Sequence, residues 1–169
     1  MAKNILLRAA LSLCLLLASV RQATAIEDSL DELRLRLVLE KYSSPLVGLE
    51  NVLIETAVEY NLDWTLLAAI SGTESSFAKR MPYTSDGKSC NNPFGWGIYG
   101  NNKLCFGSLE DAIRAVGKGI GTKYNTTSLE TIGRTYNTVS TDGWIRHTRF
   151  FMNKIKNQEI PVRHLPVTL

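Results

Sequence analysis

The hydrophobic residues of this chain recur at helical spacing over five segments between residues 43 and 160. Apolar positions three and four residues apart lie on one face of a helix, and that face can be buried. The five stripes are Leu46, Leu49, Leu53, Ala57 and Tyr60; Leu66, Leu67 and Ile70; Ala112, Ile113, Val116, Ile120 and Tyr124; Ile132 and Tyr136; and Trp144, His147, Phe151 and Ile155. Ser44-Pro45, Asp63, Ser108 and Ser128 precede the first four stripes and suit helix starts. The pattern predicts a mainly helical domain over residues 43–160.

A different pattern separates the second and third stripes. Residues 78–92 are rich in Pro, Gly, Ser and Asn, which indicates a loop. Residues 96–99 and 103–106 then flank a Gly-Asn-Asn turn at 100–102, which predicts one small β-hairpin. Residues 26–42 fit both strand alternation and a helical stripe, so we expect a peripheral helix or arm there. Residues 161–169 are expected to form an irregular tail.

The first 25 residues have the composition of a secretory signal peptide. Lys3 and Arg8 precede an apolar run of about a dozen residues, and Ala23-Thr24-Ala25 supplies a cleavage signal. A membrane anchor is the alternative, but it would need about 20 apolar residues. We therefore expect export with cleavage, a secreted or cell-envelope location in the periplasm or outside the cell, and no stable membrane anchor afterwards.

Cleavage changes the charge of the protein. The whole chain has 19 basic and 16 acidic residues and a net charge of +3. Residues 1–25 carry three of the basic residues and no acidic one, so the remainder is formally neutral. The basic balance of the whole chain therefore gives no support to a nucleic-acid partner, and we expect none.

Cleavage also removes Cys14 and leaves Cys90 and Cys105 as a pair. In an exported protein, an even number of cysteines favours a disulfide. A metal site would need further Cys or His nearby, and His147 and His164 are distant in sequence. We interpret His147, on an apolar helical face, as a packed core residue. We expect no metal and no cofactor.

Glu74 continues the apolar stripe of the second predicted helix, four residues after Ile70 and seven after Leu67. Burial and the negative end of the helix dipole both disfavour a charged carboxylate. These effects should raise the pKa of Glu74 toward that of a general acid. The alternative is an ordinary glutamate that turns to solvent or pairs with Lys79 or Arg80.

The segment YNLDWTLLAAISGTESSFAK, residues 60–79, resembles the catalytic segment of lytic transglycosylases and goose-type lysozymes. In that segment an aliphatic helix leads to a catalytic glutamate and a serine, here Glu74 and Ser75. Thr135-Tyr136-Asn137 is similar to an Ala-Tyr-Asn element of the same enzymes, whose tyrosine lies near the catalytic acid. The resemblance implies a lysozyme-like α+β fold, catalytic roles for Glu74 and Tyr136, and substrate-binding roles for Ser75 and Asn137.

The chain departs from that family where transglycosylases usually have Gly-Leu-Met-Gln. It has Asn92-Pro93-Phe94-Gly95, which is more similar to the Asn-Leu-Phe-Gly element of bacterial glucosaminidases. The aromatic residues Phe94, Trp96 and Tyr99 surround this glycine-rich stretch. Sugar rings stack on such side chains, so we predict that these three line a glycan groove, with core packing as the alternative.

The resemblance implies an enzyme that cleaves the β-1,4 bonds of peptidoglycan strands. A glycosidase with two carboxyl groups needs a partner for Glu74, and Asp86 is the candidate. A transglycosylase needs only Glu74, which would act first as acid and then as base. Three hypotheses remain: a lytic transglycosylase, a hydrolytic glucosaminidase or lysozyme, and an inactive glycan-binding module. We expect a monomer in each case.

Overall fold

Six helices account for most of the residues that the structure describes. The structure is a computed structural model, and it describes residues 26–98, 100, 102–124 and 128–162. The helices are α1 (residues 26–41), α2 (Glu50–Glu59), α3 (Leu66–Ser75), α4 (Leu109–Lys123), α5 (Leu129–Tyr136) and α6 (Thr141–Lys156). The prediction of a mainly helical fold is therefore confirmed. The predicted signal peptide at 1–25 and residues 163–169 of the predicted tail lie outside the described residues.

Helix α3 lies at the centre of the core. It packs against α2 and α6, while α4 contacts α2 and α5 contacts α6. Leu66 to Gly72 are all buried, so α3 is covered on every side along most of its length. A helix that is apolar all round is a core helix. Its last turn, which contains Glu74, is the part that reaches the protein surface.

Helix α1 resolves the ambiguous pattern at residues 26–42 in favour of a helix. The expectation that it would be peripheral is wrong, because Leu35, Val38 and Leu39 are fully buried. These three residues belong to the same hydrophobic cluster as α3. The segment is therefore part of the single core.

Helix α2 begins later than the pattern at Pro45 predicts. Turns occupy residues 42–48, and the helix starts at Glu50. Gly48 adopts φ of +92°, which is incompatible with a right-handed helix. The Ser44 hydroxyl does not cap this helix; it accepts from the Leu46 amide at 3.0 Å and donates to the Phe77 carbonyl at 2.9 Å. Ser44 therefore fixes the segment that follows α3.

Strands of the predicted hairpin are not formed in its described part. Residues 96–98 and 103–106 are turns and irregular chain, while positions 99 and 101 lie outside the described residues. Gly95 and Gly97 adopt φ of +63° and +65°, which interrupts an extended chain. The side-chain amide group of Asn92 links the segments 96–98 and 103–106 instead, donating to the carbonyls of Trp96 and Leu104 at 2.8 Å each. An isolated antiparallel bridge pairs Tyr83 with Ser89.

His147 is exposed on α6, so the interpretation of it as a core residue is wrong. The buried face of α6 runs through Trp144, Ile145, Thr148 and Ile155. Across the described residues, no helix has the length and apolar character needed to cross a bilayer. The same residues contain no cluster of His, Cys, Asp and Glu arranged to hold a metal ion.

Cys90 and Cys105 form a disulfide, as the sequence predicts. Cys90 is fully buried, and its carbonyl accepts from the Phe106 amide at 2.9 Å. The bond fixes the loop after α3 to the segment that leads into α4. This arrangement places residues 91–98 beside the end of α3.

We expect the purified protein to have a mass two hydrogens below that of its reduced form, because Cys90 and Cys105 form a disulfide. Intact-mass measurement before and after reduction checks this. Alkylation of both thiols without a reductant would contradict it.

Candidate functional site

Glu74 lies in the last turn of α3 with its carboxyl group only partly covered. The indole Nε1 of Trp144, on α6, donates a hydrogen bond to Glu74 Oε1 at 2.6 Å. The other oxygen, Oε2, faces the backbone of Gly95, where an added Cβ atom would lie 3.0 Å away. The carboxyl group therefore sits between α6 and the glycine-rich loop.

Burial raises the pKa of Glu74 above its usual value of 4.5, and the hydrogen bond from Trp144 partly opposes this shift. The direction agrees with the prediction made from the apolar stripe. Glu74 belongs to none of the ion pairs found among the described residues, although Arg80 lines the same recess. A carboxyl group with a raised pKa beside an open recess is suited to donate a proton.

The chain turns sharply after Glu74, and this turn fixes the end of α3. Ser76, Phe77 and Ala78 adopt φ of +53°, +57° and +64° in succession. Such residues cost free energy and persist only where the surroundings enforce them. Phe77 is fully buried, and its ring lies where a Cβ atom at Gly72 would meet it at 2.7 Å. The packing of Phe77 thus holds the last turn of α3 in place.

Ser75 lines the Glu74 recess but is almost fully buried, whereas Phe94 is fully buried and does not line it. The substrate-binding role of both residues stays a prediction. Ser75 is 3% exposed, and its hydroxyl donates to the Ser71 carbonyl at 3.0 Å and the Pro93 carbonyl at 2.7 Å. Both residues join the end of α3 to the loop at 92–98.

Tyr136 lies in the site, where the resemblance implies that it hydrogen-bonds either the acid or the substrate's N-acetyl group. Its hydroxyl donates to the Phe94 carbonyl at 2.6 Å. Its ring stacks on Trp144, with centroids 5.0 Å apart and an interplanar angle of 25°. Burial and the nearby charge of Glu74 raise the pKa of Tyr136 well above 10, so it remains a hydrogen-bond donor. Its catalytic role stays a prediction.

Two recesses meet at the glycine-rich loop and share Gly95 and Ile98. The first contains Glu74 and is lined by Glu74, Ser75, Arg80, Met81, Pro82, Asn92, Gly95 and Ile98. The second, of about 140 Å³, is lined by Gly95, Trp96, Gly97, Ile98, Lys123, Tyr124, Thr135 and Tyr136. A long polymer could occupy both recesses at once.

Trp96 lines the second recess, and its predicted stacking on sugar stays a prediction. It is partly buried against α4, where an added Cβ atom at Gly119 would lie 2.6 Å from Trp96 Cζ2. Its ring centroid lies 5.6 Å from that of Tyr136. Trp96 thus contributes to packing and to the recess surface. The predicted binding residue Tyr99 lies outside the described residues.

Asn137 does not line either recess. Its side-chain oxygen accepts from the Ser140 amide at 2.8 Å, and its carbonyl accepts from the Thr141 hydroxyl at 2.7 Å. These bonds hold the connection between α5 and α6. Asn137 therefore helps to position the neighbouring Tyr136 and Trp144, and its substrate-binding role stays a prediction.

Asp86 does not line the recess that contains Glu74. It is exposed in the turn between Tyr83 and Ser89, where it forms an ion pair with Lys88 at 2.9 Å and accepts from the Thr84 hydroxyl. The Thr84 and Lys88 hydrogen bonds lower the pKa of Asp86. Among the described residues that line the Glu74 recess there is no second carboxylate.

Sequence reasoning missed two residues of the site, Trp144 and Asn92. Trp144 was placed on a buried helix face, but nothing in the stripe indicates that its indole N–H reaches Glu74. Asn92 is fully buried, and its Oδ1 accepts from the amides of Phe94 and Trp96 at 3.3 and 3.2 Å. The asparagine that directly precedes Pro-Phe-Gly in the sequence was the available signal for its role.

No family model, curated protein or solved structure matches this chain. Its function must therefore be inferred from the geometry around Glu74 and from the sequence motifs. The single-carboxyl recess and the adjacent aromatic recess are the features that a function has to explain.

Proposed function

We propose that this protein is an exported enzyme of lysozyme-like fold that cleaves the β-1,4 bonds of peptidoglycan strands. These strands alternate N-acetylmuramic acid and N-acetylglucosamine. The reaction is of the lytic transglycosylase type, with Glu74 as general acid and then general base. The observation that carries the proposal is the half-buried Glu74 carboxyl group, held by Trp144 and open to a recess without a second described carboxylate.

In the proposed reaction, Glu74 gives its proton to the glycosidic oxygen as the bond from that oxygen to the anomeric carbon breaks. The substrate's own N-acetyl group stabilises the developing positive charge. Glu74, now a carboxylate, takes the proton of the sugar's 6-hydroxyl as this oxygen bonds to the anomeric carbon. Glu74 is protonated again by the 6-hydroxyl proton, while the first proton stays on the released glycosidic oxygen. An anhydro ring forms, and no water is consumed.

The lack of a second described carboxylate in the recess favours this route over ordinary hydrolysis. Hydrolytic glycosidases place two carboxyl groups about 5 to 9.5 Å apart on either side of the bond. Asp86 is occupied by Lys88 in its own turn. A single acid with a raised pKa is sufficient when the substrate supplies the nucleophile.

The aromatic recess supplies a surface for a sugar ring next to the acid. Trp96 and Tyr136 contribute aromatic rings to its wall, and Lys123 and Thr135 contribute polar groups. Tyr136 is also part of the framework that holds Glu74, through its stack on Trp144. A sugar ring bound in the second recess would thus belong to the same glycan strand as the glycosidic bond that Glu74 cleaves.

Replacing Trp96 by Ala should weaken binding of glycan strands about two- to tenfold, which corresponds to the loss of about 0.5–1.5 kcal/mol of aromatic stacking. Binding to insoluble peptidoglycan and thermal unfolding are measured together. Phe150→Ala is the control, since Phe150 is an exposed aromatic residue of α6 outside both recesses. Unchanged affinity with a collapse of thermal stability would assign Trp96 to the core alone.

Digestion of purified peptidoglycan followed by mass analysis of the soluble fragments tests the proposed function. A lytic transglycosylase leaves anhydro ends, one water lighter than the ends that hydrolysis leaves. Reducing ends would identify a glucosaminidase or lysozyme, and their position would give the bond cut. Binding without any fragments would identify an inactive glycan-binding module.

A further inference from the structure

We propose that Trp144 is a positioning residue that assigns the transferable proton of Glu74 to Oε2, the oxygen beside Gly95. The chemical step in which this proton is used rests on the proposed function. The hydrogen bond itself and its effect on Glu74 do not depend on that function. Trp144 would then set both the orientation and the acidity of the carboxyl group.

The two oxygens of Glu74 have different partners, and this difference decides where the proton lies. An indole N–H is a donor only, so Glu74 Oε1 must accept at 2.6 Å. A neutral carboxyl group accepts best through its carbonyl oxygen, which leaves the hydroxyl on the other oxygen. Oε2 is that oxygen, and it faces the side of the recess that Gly95 lines.

Trp144 is itself held firmly, as a positioning residue must be. Its side chain is 3% exposed, and its ring stacks on that of Tyr136. Gly133 of α5 makes room for it, since an added Cβ atom there would lie 3.2 Å from Trp144 Cε3. The Tyr136 hydroxyl is in turn anchored on the Phe94 carbonyl. Contacts from α5 therefore hold the indole ring directly, and the loop supports it through Tyr136.

The direction of the effect on Glu74 follows from the surrounding groups. A hydrogen bond from Trp144 stabilises the carboxylate more than the neutral acid, so its removal should raise the pKa of Glu74 further. Among the described residues, the titratable groups beside Glu74 are Tyr136 from α5 and Arg80 from the segment after α3. The described groups that meet Glu74 from α6 and from the loop at 92–98 are Trp144 and Gly95, and Asn92 lines the same recess; none of these three titrates.

The test is Trp144→Phe in the full protein, which keeps an aromatic ring and removes the N–H. Nuclear magnetic resonance follows the Glu74 carboxyl carbon and the indole N–H signals of Trp64, Trp96 and Trp144 as pH changes. We expect one indole signal of the wild type to titrate with Glu74. That signal should be absent in Trp144→Phe and insensitive to pH over the same range in Glu74→Gln. The Glu74 midpoint should move to higher pH in Trp144→Phe.

Trp64→Phe is the matched control, since Trp64 precedes α3 and lines neither recess. It should leave the Glu74 midpoint in place. For glycan cleavage, Trp144→Phe should lower kcat about three- to tenfold at the pH optimum, with KM unchanged. The high-pH limb of the pH–rate profile should move to higher pH. An unchanged Glu74 midpoint in Trp144→Phe would overturn the proposal.

The wild-type titration tests the inferred role of Trp144 even if Trp144→Phe fails to fold. If no indole signal follows Glu74, the inferred role of Trp144 is wrong. If one does follow it but the wild type never cleaves glycan, the positioning contact stands and the proposed function fails. The two failures are therefore distinguishable.

Discussion

Replacing Glu74 by Gln should reduce cleavage of peptidoglycan by at least about 100-fold, the low end of the contribution of a general acid. Gln keeps the shape of the side chain and can still accept the hydrogen bond from Trp144, but it has no transferable proton. Glycan binding should therefore persist. Release of soluble fragments and binding to insoluble peptidoglycan are the two measurements.

The same substitution should stabilise the protein near neutral pH. Because burial raises the pKa of Glu74 from 4.5, the folded state keeps the proton at pH values where the unfolded state has lost it. The free energy of unfolding thus falls as pH rises through the window between these two pKa values. The gain from Glu74→Gln should be present above this window and absent below about pH 4, which thermal unfolding at several pH values checks.

Glu59→Gln is the matched control for the loss of cleavage. Glu59 occupies the last position of α2, as Glu74 lies in the last turn of α3, but its side chain is exposed. It should leave cleavage unchanged. Undiminished cleavage by Glu74→Gln would show that the acid lies elsewhere, with Asp86 the next candidate.

Replacing Gly95 by Ala should lower cleavage by about 10-fold, less than the roughly 100-fold that a misplacement of about 1 Å can cost, because the carboxyl group must shift by less than that. The new methyl group would lie 3.0 Å from Glu74 Oε2, and so the carboxyl group or the loop must shift. The substitution also strains the backbone, because Gly95 has φ of +63°. Kinetics and thermal unfolding are measured on the same preparation.

Gly100→Ala separates the two consequences of the Gly95 substitution. Gly100 has φ of +58°, close to that of Gly95, but an added Cβ atom there has no heavy atom within 4 Å. Gly100→Ala should therefore cost similar stability and leave cleavage nearly unchanged. Equal losses of activity in the two variants would show that backbone strain, rather than contact with Glu74, is responsible.

The helices could be predicted from the sequence because their apolar stripes and caps act locally. Ser108 caps α4 as predicted, accepting from the Asp111 amide at 3.0 Å. Predictions failed where a side chain had a distant partner. Ser44 looked like a cap but bonds to Phe77, and the amide group of Asn92 replaces the pairing expected between hairpin strands.

The sequence indicated Glu74, Trp96 and Tyr136 as residues of the site, but not the contacts that hold Glu74 in place. Glu74 stood out because a carboxylate in an apolar stripe is unusual, and its raised pKa follows from that position. The contact from Trp144 joins residues 70 positions apart, and no local pattern encodes it. Phe94 and Ser75 were identified through motifs, but a motif does not tell whether a side chain faces the ligand or the core.

Digestion of peptidoglycan in water enriched in heavy oxygen tests the central claim most directly. If Glu74 acts alone and the sugar's 6-hydroxyl is the nucleophile, the fragments will carry anhydro ends and no heavy oxygen. Incorporation of heavy oxygen at the new ends would show that water attacks the sugar, which would contradict the single-acid transglycosylase mechanism.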